Sequence, residues 1–118
     1  MQFGLTAEQE MIVSTVRSFV EKEIYPHEAE VERSGQVPPE LAAEIKRKCL
    51  ALGFYACNFP EEVGGAGLSH LDFTLVEREL GRGSMALTHF FGRPQNILMA
   101  CDGAQRERYL LPAVRGEK

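Results

Sequence analysis

The feature that most constrains this chain is the spacing of its apolar residues: wherever they keep a period, it is that of an α-helix. Ile12, Val16, Phe19, Val20 and Ile24 recur at intervals of three and four, which draws a single stripe along one helix face. Thr6 stands where an N-cap belongs, and Gln9, three residues on, completes a capping box. Pro26 has no N–H and crowds the preceding turn, so the helix should end or kink near Tyr25. The charged run His27 to Arg33 continues as an exposed turn or two, closed by Gly35. A second helix opens at Pro38-Pro39, with Glu40 in the first turn, where the helix dipole favours an acid. Leu41, Ile45, Cys49 and Leu52 share its inner face, and Gly53 stops it.

Phe54 to Phe59 is apolar, too short for a helix and followed by Pro60, so it reads as an extended connector or a short strand. In the stretch from Pro60 to Ser69, Gly64, Gly65 and Gly67 fall within four residues, which requires positive φ or a very close approach. Ser69, with Asp72, then caps a third helix, His70 to about Leu80. Leu71 and Leu75 lie on one side of it, Phe73, Val76 and Leu80 on nearly the other, so it should be covered on two faces. Beyond Gly81-Arg82-Gly83, the residues Met85, Ala86, Leu87, Phe90 and Phe91 leave only Thr88 and His89 polar on a short helix. Gly92-Arg93-Pro94 breaks it, Ile97 to Cys101 is apolar all round, and Asp102-Gly103 turns the chain into a last amphipathic segment, Ala104 to Leu111, ending at Pro112. With no internal repeat or linker, residues 1–118 form one unit. The fold class is all-α, a small helical bundle of roughly five to six helices.

At 118 residues and 44% hydrophobic content the chain can build one modest core. It has few polar faces with which to hide Ser84 to Cys101, and a large exposed apolar patch usually meets a partner or ligand. That run looks built to pack on something this chain does not contain. Lys and Arg number 13 against 17 Asp and Glu, a net charge of -4, which excludes nucleic-acid binding by bulk charge. No apolar run approaches a membrane span, and Met1 to Leu5 lacks the basic start and apolar stretch of a secretory signal. Cys49, Cys57 and Cys101 are odd in number with no Cys-x-x-Cys, which suits buried thiols in a reducing, cytoplasmic compartment.

Few residues offer chemistry. A glycine turn before a helix can cradle phosphate, but no Gly-Lys-Ser/Thr follows and Glu61 and Glu62 would repel the anion, which favours a structural turn. His27-Glu28 lacks the second histidine of a metalloprotease motif, and His70 sits in an exposed first turn. His89 keeps apolar company, so a core or interface role suits it better than catalysis. No serine or cysteine has a base at helical spacing. These patterns assign no catalytic, cofactor-binding or metal-binding residue.

Three stretches, taken together, resemble one family. They are Leu5-Thr6-Ala7-Glu8-Gln9-Glu10; Pro60 to Ser69 followed by Glu79-Leu80-Gly81-Arg82; and Gly103 to Lys118 with its Arg108-Tyr109-Leu110-Leu111-Pro112 centre. In this order they resemble the N-terminal helical domain of the acyl-CoA dehydrogenases, over essentially the whole chain. The resemblance implies a three-part flavoprotein subunit, with a middle β domain and a C-terminal helical domain, both absent from residues 1–118. It implies α,β-desaturation of an acyl-CoA: a glutamate removes the α-proton while a hydride passes to N5 of FAD. That glutamate and most FAD contacts belong to the two other domains, so this chain alone is expected to bind no FAD and to be inactive. It further implies an acyl-CoA substrate, an electron-transfer partner and a homo-oligomer for the parent. By the same resemblance Met85, Leu87, Thr88, Phe90 and Phe91 are candidates for the wall of the acyl pocket, each equally at home as a core residue. Two alternatives remain open: a stand-alone helical dimerisation or interaction module without redox activity, and a relative with oxidase or monooxygenase chemistry.

Overall fold

A computed structural model describes residues 3–118; the reading of Met1 to Leu5 rests in part on Met1 and Gln2, which lie outside them. The described residues are helical and contain no strand. Thr6 caps α1 (Ala7–Phe19) as the capping box requires, with its Oγ1 accepting from Gln9 N–H at 3.1 Å while Gln9 Oε1 accepts from Thr6 N–H at 3.0 Å.

Pro26 does not end this helix. The chain instead widens into a π turn, Val20–Ile24, and continues as α2 (Tyr25–Ser34) with Pro26 in its first turn. A proline cannot donate to the carbonyl four residues back and its ring presses on that carbonyl, so a wider turn upstream relieves both problems. It also resets the register, because one extra residue in a helix of 3.6 residues per turn rotates the downstream side chains by about 100°. With the π turn Ile24 and Val31 are buried, while Glu23, His27 and Glu28 are each part-buried. Gly35 closes α2 in the left-handed conformation.

After α3 (Pro39–Leu52), the expected extended connector or strand at Phe54–Phe59 is a series of tight turns. Cys57 N–H bonds Phe54 O and Phe59 N–H bonds Ala56 O, while Ala56, fully buried, takes a φ of 55°. Burying Ala56, Cys57 and Phe59 together outweighs extended pairing for a segment with no strand to pair with. A 3-10 turn, Glu61–Val63, leads to α4 (His70–Leu80), where Ser69 Oγ accepts from Asp72 N–H at 3.1 Å. This helix packs along α1. It buries Leu75, Val76 and Leu80 but leaves Leu71 58% exposed, so the two-sided cover expected of it does not extend to its first turn. The remainder is α5 (Met85–Thr88), a 3-10 segment Asn96–Ala100, a π turn Arg106–Leu110 and α6 (Leu111–Val114). Pro112 therefore sits inside a continuing helix, again just after a π turn, and not at its end. The carbonyl four residues before it, on Arg108, faces Lys118 Nζ at 3.4 Å.

Two cores result. The larger joins α1, the first π turn, α2, α3 and α4 around Phe91, whose ring meets Phe19 edge-on at 5.0 Å and Phe54 at 6.0 Å. The smaller gathers Ala56, Phe59, Val63, Leu110 and Val114 under the glycine turn. The assembly is a plate of 44 × 44 × 21 Å. Its radius of gyration, 15.2 Å, exceeds the about 13.5 Å of a compact domain of this length. Its accessible surface, 7552 Å², is about 1,100 Å² more than its mass predicts for a free-standing protein.

Candidate functional site

The segment after α4 is held by its backbone. Gly83 lies so close to the first π turn that a Cβ there would fall 2.9 Å from Ile24 Cγ2, 3.1 Å from Thr88 Cγ2 and 3.3 Å from Val20 Cγ1. Ser84 N–H donates to Glu28 Oε2 at 2.9 Å. At the other end of α5, Arg93 Nη1 donates to Thr88 O at 2.9 Å, which also accepts from Phe91 N–H, and to Phe91 O at 2.6 Å. Of the five residues singled out in the sequence, Leu87, Thr88 and Phe91 point into the core, with Phe91 and Leu87 fully buried. Phe90 is half-buried, its ring edge-on to His89 at 5.5 Å, and Met85 is 82% exposed.

A cleft of about 740 Å³ opens beside this segment. It is lined by Phe73 and Glu77 of α4, Tyr55 and Asn58 of the turn-rich connector, His89, and residues 92–98; none of Met85, Leu87, Thr88, Phe90 and Phe91 lines it. Asn58 Nδ2 donates to Pro94 O at 3.0 Å and to Asn96 Oδ1 at 2.9 Å, which fixes the loop over the connector. Arg93 Nε sits 2.5 Å from Glu77 Oε1, an ion pair whose N–H is not well aimed at that oxygen. Ile97, 76% exposed, stands at the rim. Tyr55, Asn58, Glu77 and Arg93 escaped the sequence reading because they come from separate stretches with no shared local pattern. A second groove, of about 570 Å³, runs between α1 and α3 and includes the ion pair of Lys48 Nζ with Glu23 Oε2 at 2.6 Å. Hydrogen bonds to Glu23 and Glu44 raise the Lys48 pKa above its ordinary value.

The glycine turn is no anion cradle. The amides of Gly64, Gly65, Gly67 and Leu68 already donate to Glu61 O, Pro60 O, Phe59 O and Cys57 O. A Cβ on Gly65 would lie 2.1 Å from Phe59 O, so the turn is filled by its own backbone. A flavin pyrophosphate would need such amides free. This turn therefore does not fit the pyrophosphate of FAD.

Glu79 has a structural part that the sequence did not announce. Its side chain is fully buried, and Arg17 Nε at 2.6 Å, Arg78 Nε at 3.2 Å and Arg82 Nε at 3.2 Å surround it. Burial alone would push this carboxyl up, but the three guanidiniums outweigh it and hold the pKa below the ordinary carboxylate value. The Glu-Leu-Gly-Arg motif thus ties α4 to α1. Burial pushes the Cys49 thiol up to about 12 and the Cys57 thiol to about 11, which makes neither a nucleophile. Among the described residues no group of three or more His, Cys, Asp or Glu could hold a metal ion, and no helix is long and apolar enough to cross a membrane.

Residues 6–117 match the family model described as acyl-CoA dehydrogenase, N-terminal domain. The chain is 33% identical over 123 residues to benzylmalonyl-CoA dehydrogenase of Aromatoleum aromaticum, covering 100% of this chain and 32% of that protein. It is 39% identical over 115 residues to the human mitochondrial short-chain specific acyl-CoA dehydrogenase, covering 92% and 27%. Over 118 residues it is 30% identical to 3-(aryl)acrylate reductase of Clostridium sporogenes, covering 96% and 30%. The chain thus spans about a third or less of the curated relatives it matches. No solved structure matches at a significant level.

Proposed function

Because this chain belongs to the acyl-CoA dehydrogenase family, as its N-terminal domain, we propose that it serves as one wall of an acyl-CoA site completed by other domains. The parent would be an FAD-dependent enzyme that desaturates an acyl-CoA, held in a reducing cytoplasm where the three thiols stay free. Met85 and Phe90 would be the wall residues nearest the ligand, with Leu87, Thr88 and Phe91 holding them from behind. By itself the chain would be inactive, its chemistry depending on groups supplied by the other domains.

One observation carries the reading. Met85 and Ile97 stand exposed on a molecule with more surface than its mass calls for, and the 740 Å³ cleft, lined by His89 and residues 92–98, opens next to the segment that carries Met85 and Phe90. The test uses a complete three-domain subunit containing this chain. Phe90→Ala should change KM for acyl-CoAs of different chain length while leaving kcat for the best substrate within about twofold, as a loss of uniform binding does. An unchanged length preference would refute the wall assignment. Flavin colour retained by residues 1–118 alone would refute the dependence on other domains.

A further inference from the structure

The placement of α5 is set from another helix, by a carboxylate one turn beyond the first π turn. We infer that Glu28 is a positioning residue: it holds Ser84, and through it the segment Ser84–Phe91, against the long helix. This rests on the reading of that segment as part of an acyl-pocket wall.

Three observations converge. Pro26 follows the π turn Val20–Ile24 by two residues, and beyond that turn Ile24 and Val31 are buried, with the part-buried Glu28 one turn after Ile24 and three residues before Val31. An acid on an otherwise apolar inner face is costly unless it has a hydrogen-bond donor, and Glu28 Oε2 finds one in the Ser84 amide at 2.9 Å. Ser84 is the N-cap of α5, and its N–H is the donor that the N3 side chain of a capping box would accept from; N3 here is Leu87, which has no acceptor, and Glu28 supplies one from another helix. One residue earlier, Gly83 rests on Ile24 and Val20 too closely for any side chain. The π turn and Glu28 thus grip adjacent residues, Gly83 and Ser84, and the run after them takes its position from that grip. Lost widening at the π turn would turn Glu28 away and release the wall, although neither residue need touch substrate.

Backbone amide exchange on residues 1–118, followed by NMR, tests this directly. Glu28→Ala should accelerate exchange at Ser84 about tenfold, the low end for losing a hydrogen bond to a charged acceptor, with smaller effects at Leu87 and Thr88. Amides of α1 and α4 should keep their wild-type rates. Glu28→Gln, whose amide oxygen can still accept, should stay within about threefold of wild type at Ser84. Three results would overturn the inference: no change at Ser84 in Glu28→Ala, equal acceleration throughout the chain, or a glutamine variant as fast as the alanine one. No acyl-CoA enters this experiment. Failure of the wall reading would appear separately, as a complete enzyme whose acyl-CoA leaves residues 84–91 unprotected.

Discussion

Replacing Gly65 by alanine should cost this domain more than the same change at Gly64 or Gly67 in the same turn. Its Cβ would lie 2.1 Å from Phe59 O, 2.5 Å from Phe59 C and 2.7 Å from Ala56 O, all backbone atoms that no rotamer change can move. Ordinary contact begins near 3.4 Å, so Phe59 O must retreat by more than an ångström. That oxygen accepts from Gly67 N–H at 2.9 Å, and Phe59 itself is 1% exposed in the smaller core. The displacement therefore sacrifices about 1 kcal/mol of hydrogen bonding and adds about 1–3 kcal/mol of overpacking strain, roughly 2–4 kcal/mol together. A suitable control is Gly35→Ala, where φ is 72° but nothing lies within 4 Å, and where only the left-handed penalty of about 1–2 kcal/mol applies. Urea unfolding followed by circular dichroism reads both. With a slope of about 1–3 kcal/mol per molar, the Gly65→Ala midpoint should fall by about 1–2 M and the control by clearly less. A Gly65→Ala protein as stable as Gly35→Ala, or more so, would refute the reading of Gly65 as a close-packing glycine.

Glu79→Gln should destabilise the chain by about 1–2 kcal/mol near neutral pH, toward the low end for charge-assisted bonds because the three arginines are half-exposed. Since the folded-state pKa of Glu79 is depressed, its contribution is present above the unfolded carboxylate value and fades as pH falls through the folded one. Wild-type and variant stabilities should therefore converge in acid, and a constant gap measured by urea titration down to that range would contradict the ion cluster. Alkylation at neutral pH should modify Cys101, partly exposed, well before Cys49 or Cys57, whose buried thiols titrate at about 12 and about 11. Mass spectrometry of native protein showing Cys49 labelled first would count against the described packing.

Much of the fold was legible because it is written locally. Thr6 with Gln9, Ser69 with Asp72 and the left-handed stops at Gly35 and Gly53 need only neighbouring residues, and each is where the sequence placed it. The prolines mislead for a physical reason. Pro26 and Pro112 announce a missing donor, but not whether the chain stops or widens, and that choice depends on tertiary burial of Ile24, Val31, Leu110 and Val114. Phe54–Phe59 misleads because an apolar run without a period looks alike as a strand or as buried turns. In the candidate site, the unusual apolarity of Ser84 to Cys101 was visible, but the division between inward Leu87 and Phe91 and outward Met85 was not. Four residues of helix give too little period to fix a face. The cleft lining at Tyr55 and Asn58 and the burial of Glu79 depend on residues brought together from distant positions.

Methionine oxidation measures most directly whether the outward apolar side chains belong under a larger protein. Met85, 82% exposed, and Met11, 66% exposed, should react with peroxide at similar rates in residues 1–118 alone. Within a complete three-domain subunit Met85 should become at least about tenfold slower while the chain keeps the same fold, the extent expected when a side chain passes from water to a packed interface. Met85 oxidised as fast in the complete subunit as in the isolated chain would contradict the assignment of this surface to a covered acyl-pocket wall.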